Sequence, residues 1–206
     1  MSSTALNRRD AQRAQTRRDL LDAAAMVFAR QGYHATSVDE VAETAGYTKG
    51  AVYSNFRSKE ELFLELLDRQ IDQAVAVVEE IFATVEPQDR PRMLGEMHQE
   101  IQVLDRQWFL LETEFLLYAA RNEGVRDRVA TRQQRTRERI TELVATHLAD
   151  LGIEDPAVPA ADAAQLLMAA ADGLTQASLV SDEVASRSGR LLTMLAEVLL
   201  EAARDD

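Results

Sequence analysis

Apolar residues recur at intervals of three and four along almost the whole chain, and runs alternating at every second position are nearly absent. That interval is the helical period, so the chain is expected to build helices and no sheet. Only 4 Pro and 8 Gly interrupt 206 residues, which leaves room for long helices with few breaks. The spacing predicts about nine, near residues 11–32, 38–45, 49–55, 59–85, 90–105, 107–121, 124–150, 160–180 and 184–204. The expected class is all-α.

Local signals sharpen the first four. Leu20, Leu21, Ala24, Val27 and Phe28 form the apolar face of the first helix, and Gly32 stands where a left-handed terminator is wanted. Ser37-Val38-Asp39-Glu40 reads as a capping box, in which the serine takes a backbone N–H and Glu40 reaches back. Gly46 ends the short helix that this box opens. Thr48 is placed to cap the next, 49–55, and Ser58-Lys59-Glu60-Glu61 reads as a second capping box at the head of a longer helix.

Composition excludes several functions. There is no cysteine, which removes disulfides, a thiolate nucleophile and cysteine-based zinc sites. His34, His98 and His147 show no paired spacing, so no metal is expected, and no cofactor either. No apolar stretch reaches the length of a membrane span, the N-terminus has no signal-peptide core, and the expected location is the cytoplasm. The net charge of −12 is unevenly spread. Residues 1–59 carry nine Lys and Arg against six Asp and Glu, while residues 60–206 carry fourteen against twenty-nine. Both lysines, Lys49 and Lys59, lie in the first segment. A polyanion is attracted to one end and repelled by the other.

The segment from Thr36 to Lys59, TSVDEVAETAGYTKGAVYSNFRSK, carries the functional signal. Two short helices joined by a glycine turn make a helix-turn-helix, whose second helix enters the major groove of DNA. Thr48 and Lys49 stand at the N-terminus of that second helix, where free N–H groups and the dipole favour phosphate. Gly50 lets the backbone approach closely, although glycine costs about 1 kcal/mol against alanine inside a helix. Tyr53 can reach a phosphate with its hydroxyl, and Ser54 and Asn55 offer groups for base edges or backbone. Lys59 opens the following helix at another dipole-positive end. Val41, Ala42, Ala45, Val52 and Phe56 are the expected small core.

Over about residues 12–66, FARQGYHATSVDEVAETAG followed by YTKGAVYSNFRSKEELF resembles the DNA-binding domain of the TetR family of bacterial transcriptional regulators. The resemblance implies DNA contacts at Ser37, Thr48, Lys49, Gly50, Tyr53, Asn55 and Lys59. Ser54 and Asn55 depart from the family's usual aromatic and histidine, which bears on the operator sequence. The ADGL stretch at Ala171–Leu174 and the amphipathic final helix also resemble a family subgroup. The resemblance implies two domains, a helix-turn-helix over 1–58 and a ligand-binding and dimerisation domain over 59–206. The function it implies is a ligand-responsive regulator, with repression the family's commoner habit.

In the C-terminal body the helix near 107–121 carries Trp108, Leu111, Phe115 and Tyr118 on one face, with Glu112 among them. That face is either the wall of an effector pocket or simply core, and Glu112 either meets a ligand or pairs with a neighbouring arginine. Met97, His98, Met168 and Asp172 are further candidates for such a pocket, with the same two readings. The arginines between 121 and 139 read as a solvated face with acidic partners on adjacent helices. Gly173 and Ala177, with Leu191, Leu195, Val198 and Leu199, form stripes suited to a homodimeric four-helix bundle. A dimer matches the two half-sites that helix-turn-helix proteins read, so the expected partners are a palindromic double-stranded operator and a small-molecule effector. An all-helical enzyme and a helical adaptor are the competing classes. The enzyme lacks any recognisable catalytic motif, and the adaptor leaves Lys49, Gly50, Tyr53 and Lys59 without a purpose.

Overall fold

The computed structural model describes residues 2–104 and 106–204, with side chains placed for 10–101 and 106–204. Among the described residues there are nine α-helices, one 3-10 turn and no strand. The helices are α1 (Ser2–Ala35), α2 (Val38–Thr44), α3 (Lys49–Asn55), α4 (Lys59–Thr84), α5 (Arg90–Leu104), α6 (Arg106–Arg121), α7 (Glu123–Asp150), α8 (Ala160–Ser178) and α9 (Asp182–Arg204). The all-α class is as expected. α1 begins well before the expected Ala11, and residue 105, expected to end the fifth helix, lies outside the described residues.

The chain divides into two compact units. The first holds residues up to Gln70 together with Leu110–Arg126, and the second holds Ile71–Phe109 and Asp127 onwards.

In the first unit, the core is built from Leu20, Ala24, Val27 and Phe28 of α1, Val41 of α2, Val52 of α3 and Leu62, Phe63 and Leu66 of α4, each at most 2% exposed. Tyr33 and Phe115 are equally buried there. The helical run of α1 breaks at Gly32, with φ 83° and ψ 171°, a conformation that essentially only glycine adopts. Between α2 and α3, Gly46 takes φ 72°, and the N–H of Tyr47 donates to the Ala42 carbonyl at 2.9 Å, closing the turn.

In the second unit α5 packs along α9, and α9 along α8. The α5–α9 crossing is close because Gly95 faces Gly189, where an added Cβ would strike the opposite backbone. Gln99 fastens the crossing by accepting from the Ser188 hydroxyl and the Gly189 N–H, both at 3.1 Å. Arg139 on α7 pairs with Asp72 and Glu79 on α4 at 2.7 and 2.8 Å, the arrangement expected for that arginine face.

Candidate functional site

Both capping devices around the turn form. Ser37 Oγ accepts the Glu40 N–H at 3.2 Å, and the Glu40 carboxylate accepts the Ser37 N–H at 2.9 Å. These bonds hold the Glu40 carboxyl below its usual range. Thr48 Oγ1 accepts the Ala51 N–H and starts α3. At the head of α4, Ser58 Oγ accepts from Glu61, but the Glu61 carboxylate reaches back to the N–H of Arg57, one residue beyond the expected box.

α3 is thereby held with Val52, and Phe56 at its end, in the core, and with Thr48, Lys49, Gly50, Tyr53 and Ser54 facing out. Tyr53 is 49% exposed, unusual for a large ring that plays no part in this core. The Lys49 ammonium lies 2.8 Å from the Asp39 carboxylate, an exposed pair that a phosphate can displace. A Cβ on Gly50 would meet only Thr48 Oγ1 at 3.7 Å, an ordinary contact, so nothing inside the chain requires glycine there. Three contacts of one arginine set the helix against its neighbours. Arg17 of α1 stacks over the Phe56 ring at 4.3 Å, donates to the Asn55 carbonyl and pairs with Glu65.

Several of the expected contact residues are otherwise engaged: the Ser37 and Ser54 hydroxyls donate to the Glu40 carboxylate and the Ala51 carbonyl at 2.9 and 2.8 Å, and Asn55 and Lys59 are turned further from the outward face. Asn55 is half-buried, and its side-chain amide donates to the Ala51 carbonyl at 2.8 Å, one turn back on its own helix. The Lys59 ammonium donates to the carbonyls of Tyr33, His34 and Thr36, at 2.9, 3.4 and 2.9 Å, and sits 4.5 Å from the Tyr33 ring centroid. Its burial pulls the amine's pKa down. Lys59 is thus a brace for the chain between α1 and α2, because three carbonyls converge on the end of α4 where its side chain emerges.

The same linker is held from the other side by a residue that the sequence did not reveal. The Glu114 carboxylate of α6 accepts the N–H groups of Tyr33 and His34 at 3.0 and 2.9 Å. A Cβ on Gly32 would sit 2.6 Å from that carboxylate. Phe115, next along, packs its ring 4.3 Å from Phe63 and 4.9 Å from Tyr33. Of the two readings of this face, Phe115 takes the second: it is core of the first unit and not the wall of an effector pocket. Tyr118 donates to Glu60 at 3.0 Å in the same cluster.

The second unit contains a cavity of about 170 Å³ walled by α4, α5, α7, α8 and α9. Met97, His98 and Met168 line it. Trp108, Glu112 and Phe115 are absent from its described walls, since α6 contributes none of them. On α8 it is Ala171 that faces the cavity, while Asp172 lies on the exposed side one residue on. A second lobe of about 60 Å³ shares Phe82, Leu94, Val144, Leu167 and Ala196 with the first. Leu199 lines that lobe and so faces inward, away from the surface expected for it. Of the other stripe residues, Gly173 and Val198 are exposed, and Ala177, Leu191 and Leu195 are half-buried. Leu166 and Met194, 50% and 48% exposed, extend the same apolar faces. Among the described residues no cluster of potential metal ligands occurs, and no helix is long and apolar enough to cross a membrane.

A helix-turn-helix with its second helix open to solvent, joined to a helical body with an apolar cavity, is the build of a DNA-binding regulator. The profile of bacterial regulatory proteins of the tetR family matches residues 20–66, and that of the BetI-type transcriptional repressor C-terminal region matches residues 70–202. The chain belongs to the TetR family of transcriptional regulators. It is 27% identical over 171 residues to the uncharacterized HTH-type transcriptional regulator YfiR of Bacillus subtilis, covering 80% of each chain. Its fold is shared with the Bacillus subtilis regulator FadR in complex with stearoyl-CoA, at a TM-score of 0.67 and 18% identity, over 89% of this chain and 97% of that one. It is shared too with a putative regulator from Saccharomonospora viridis in complex with choline, at a TM-score of 0.69 and 22% identity, over 89% and 96%.

Proposed function

We propose that this regulator is a repressor that binds a palindromic operator as a homodimer in the cytoplasm and leaves it when a small, largely apolar effector enters the cavity of the second unit. The outward face of α3 is the observation that carries the DNA-binding half. Thr48, Lys49, Gly50, Tyr53 and Ser54 are presented together, while Val52 and Phe56 anchor the helix from behind. Ser37 adds a hydroxyl at the start of α2. Asn55 and Lys59 act by holding α3 and the linker in place. DNA binding is assigned to residues 1–58, and effector binding and dimerisation to 59–206.

The match to a repressor-type C-terminal profile supports repression, and the ligands named for the two neighbours support ligand binding as a use of this fold. Dimerisation is assigned to the exposed faces of α8 and α9 through Leu166, Gly173, Met194 and Val198, two helices from each chain making a four-helix bundle. No reaction is assigned to the protein.

Selection of bound fragments from genomic DNA, followed by footprinting, tests the reading. A protected palindrome is expected, with affinity falling steeply as salt rises because phosphate contacts release counterions. Tyr53→Ala and Lys49→Ala should each weaken it, and unchanged protection in both would remove α3 from the interface.

A further inference from the structure

The wall chemistry of the cavity restricts what it can hold. Its larger lobe, about 170 Å³, exceeds the roughly 150 Å³ of an apolar cavity known to stay dry and take benzene. Its polar side chain is His98, and burial lowers that imidazole's pKa, keeping the ring neutral at pH 7. The smaller lobe adds His147, whose imidazole burial also holds below its usual pKa, 3.5 Å from Arg90, and the charged groups beside that lobe are already committed. Arg90, 6% exposed, donates to the Val85 and Phe82 carbonyls at 3.1 and 2.9 Å and to Asp150 at 2.6 Å. It closes the C-terminal end of α4 and leaves Asp150 neutralised in the same contact. An anion entering the lobes would have to displace Asp150, and among the described lining residues a cation would meet no carboxylate. A charge moved into such walls without a partner is strongly disfavoured.

We propose that the effector cavity selects uncharged ligands: apolar molecules somewhat larger than benzene whose one polar group, a hydroxyl or carbonyl, lies against His98. This rests on the effector reading above and narrows it to a ligand class. Met97 and Met168 let the wall adapt to the shape of the apolar part.

The test uses three probes of one length, octan-1-ol, octanoate and octylammonium, titrated calorimetrically into the full-length protein without DNA at pH 7.5. Saturable binding of the alcohol is expected, with each charged probe at least tenfold weaker. Ala171→Phe, which fills the larger lobe, should remove alcohol binding while circular dichroism shows an unchanged helical fold. Should Ala171→Phe fail to fold, Ala196→Phe and the wild-type ranking of the three probes still decide the matter. A charged probe binding as tightly as the alcohol, or no saturable alcohol binding, overturns the proposal. Operator release is read separately by fluorescence anisotropy. Alcohol binding that leaves operator affinity unchanged keeps the ligand class and removes its role as effector.

Discussion

Lys59 opens α4, and its ammonium is turned onto three carbonyls and an aromatic face. A charged donor with three such acceptors contributes to stability even when partly exposed. Lys59→Ala should lower the unfolding free energy by about 1–2 kcal/mol in urea titrations. At temperatures where the variant stays folded, the salt slope of operator binding should remain that of the wild type. A slope reduced by about one would return Lys59 to the phosphate contacts. Gly50 behaves in the opposite sense. Its neighbours leave room for a methyl group, so Gly50→Ala should stabilise α3 by up to about 1 kcal/mol. Operator affinity should fall at the same time, because the added methyl lies on the outward face. A variant that gains stability and keeps its affinity would show that DNA does not approach this backbone.

Among the elements, the short helices were the most legible. Ser37, Glu40 and Thr48 act on neighbours three residues away, so their spacing alone announces the caps. The outward residues of α3 were legible for the same reason, since helical period separates them from Val52 and Phe56. Glu114 left no such trace. Its partners lie 81 and 80 residues away, and a carboxylate on an apolar helix reads the same whether it meets solvent, a ligand or two backbone N–H groups. Phe115 illustrates a related limit: periodicity says that a face is buried but not against what. Glu114→Gln keeps the shape and replaces one accepting oxygen by a donor. The variant should lose about 1 kcal/mol of stability, because at this half-buried position one backbone N–H is left facing an amide N–H, donor against donor. Differential scanning calorimetry reads this directly. At the α8–α9 faces, Val198→Glu should give monomers by analytical ultracentrifugation with weakened operator binding, and a variant that stays dimeric would move the interface elsewhere.

For the whole molecule, two half-buried imidazoles bear on the pH dependence in the neutral range. Burial lowers the pKa of His98 and His147, and Arg90 adds to the effect at His147. A histidine with a depressed folded pKa binds fewer protons folded than unfolded. Stability is therefore full above the unfolded value of 6.5 and declines as pH falls through the folded values. The midpoint for urea unfolding should drop between pH 7.5 and 5.5, and His98→Phe should flatten the drop. The carboxyls with lowered pKa, Asp19, Glu40 and Glu60, lose their contribution only at lower pH, whereas burial raises the pKa of the Asp172 carboxyl and opposes the change, so the comparison is made in an Asp172→Asn background. An equal drop in the His98→Phe variant would assign it to other groups.

The discontinuity of the first unit bears on the order in which the protein is made. Tyr33 and Phe63 leave the ribosome long before Glu114 and Phe115, which complete their surroundings. At roughly 5–20 residues per second the nascent chain waits about 2–9 s between Gln70 and Phe115 with two rings uncovered. During that interval the reading head is unfinished, and holdase chaperones have an exposed aromatic surface to grip. A chain released at Gln70 lacks the contacts of Glu114 and Phe115, so such a fragment should melt at a lower temperature than the full-length protein. The helices that carry the proposed DNA-binding residues are thus made early, and their full packing is expected only once the ribosome has reached the middle of the message.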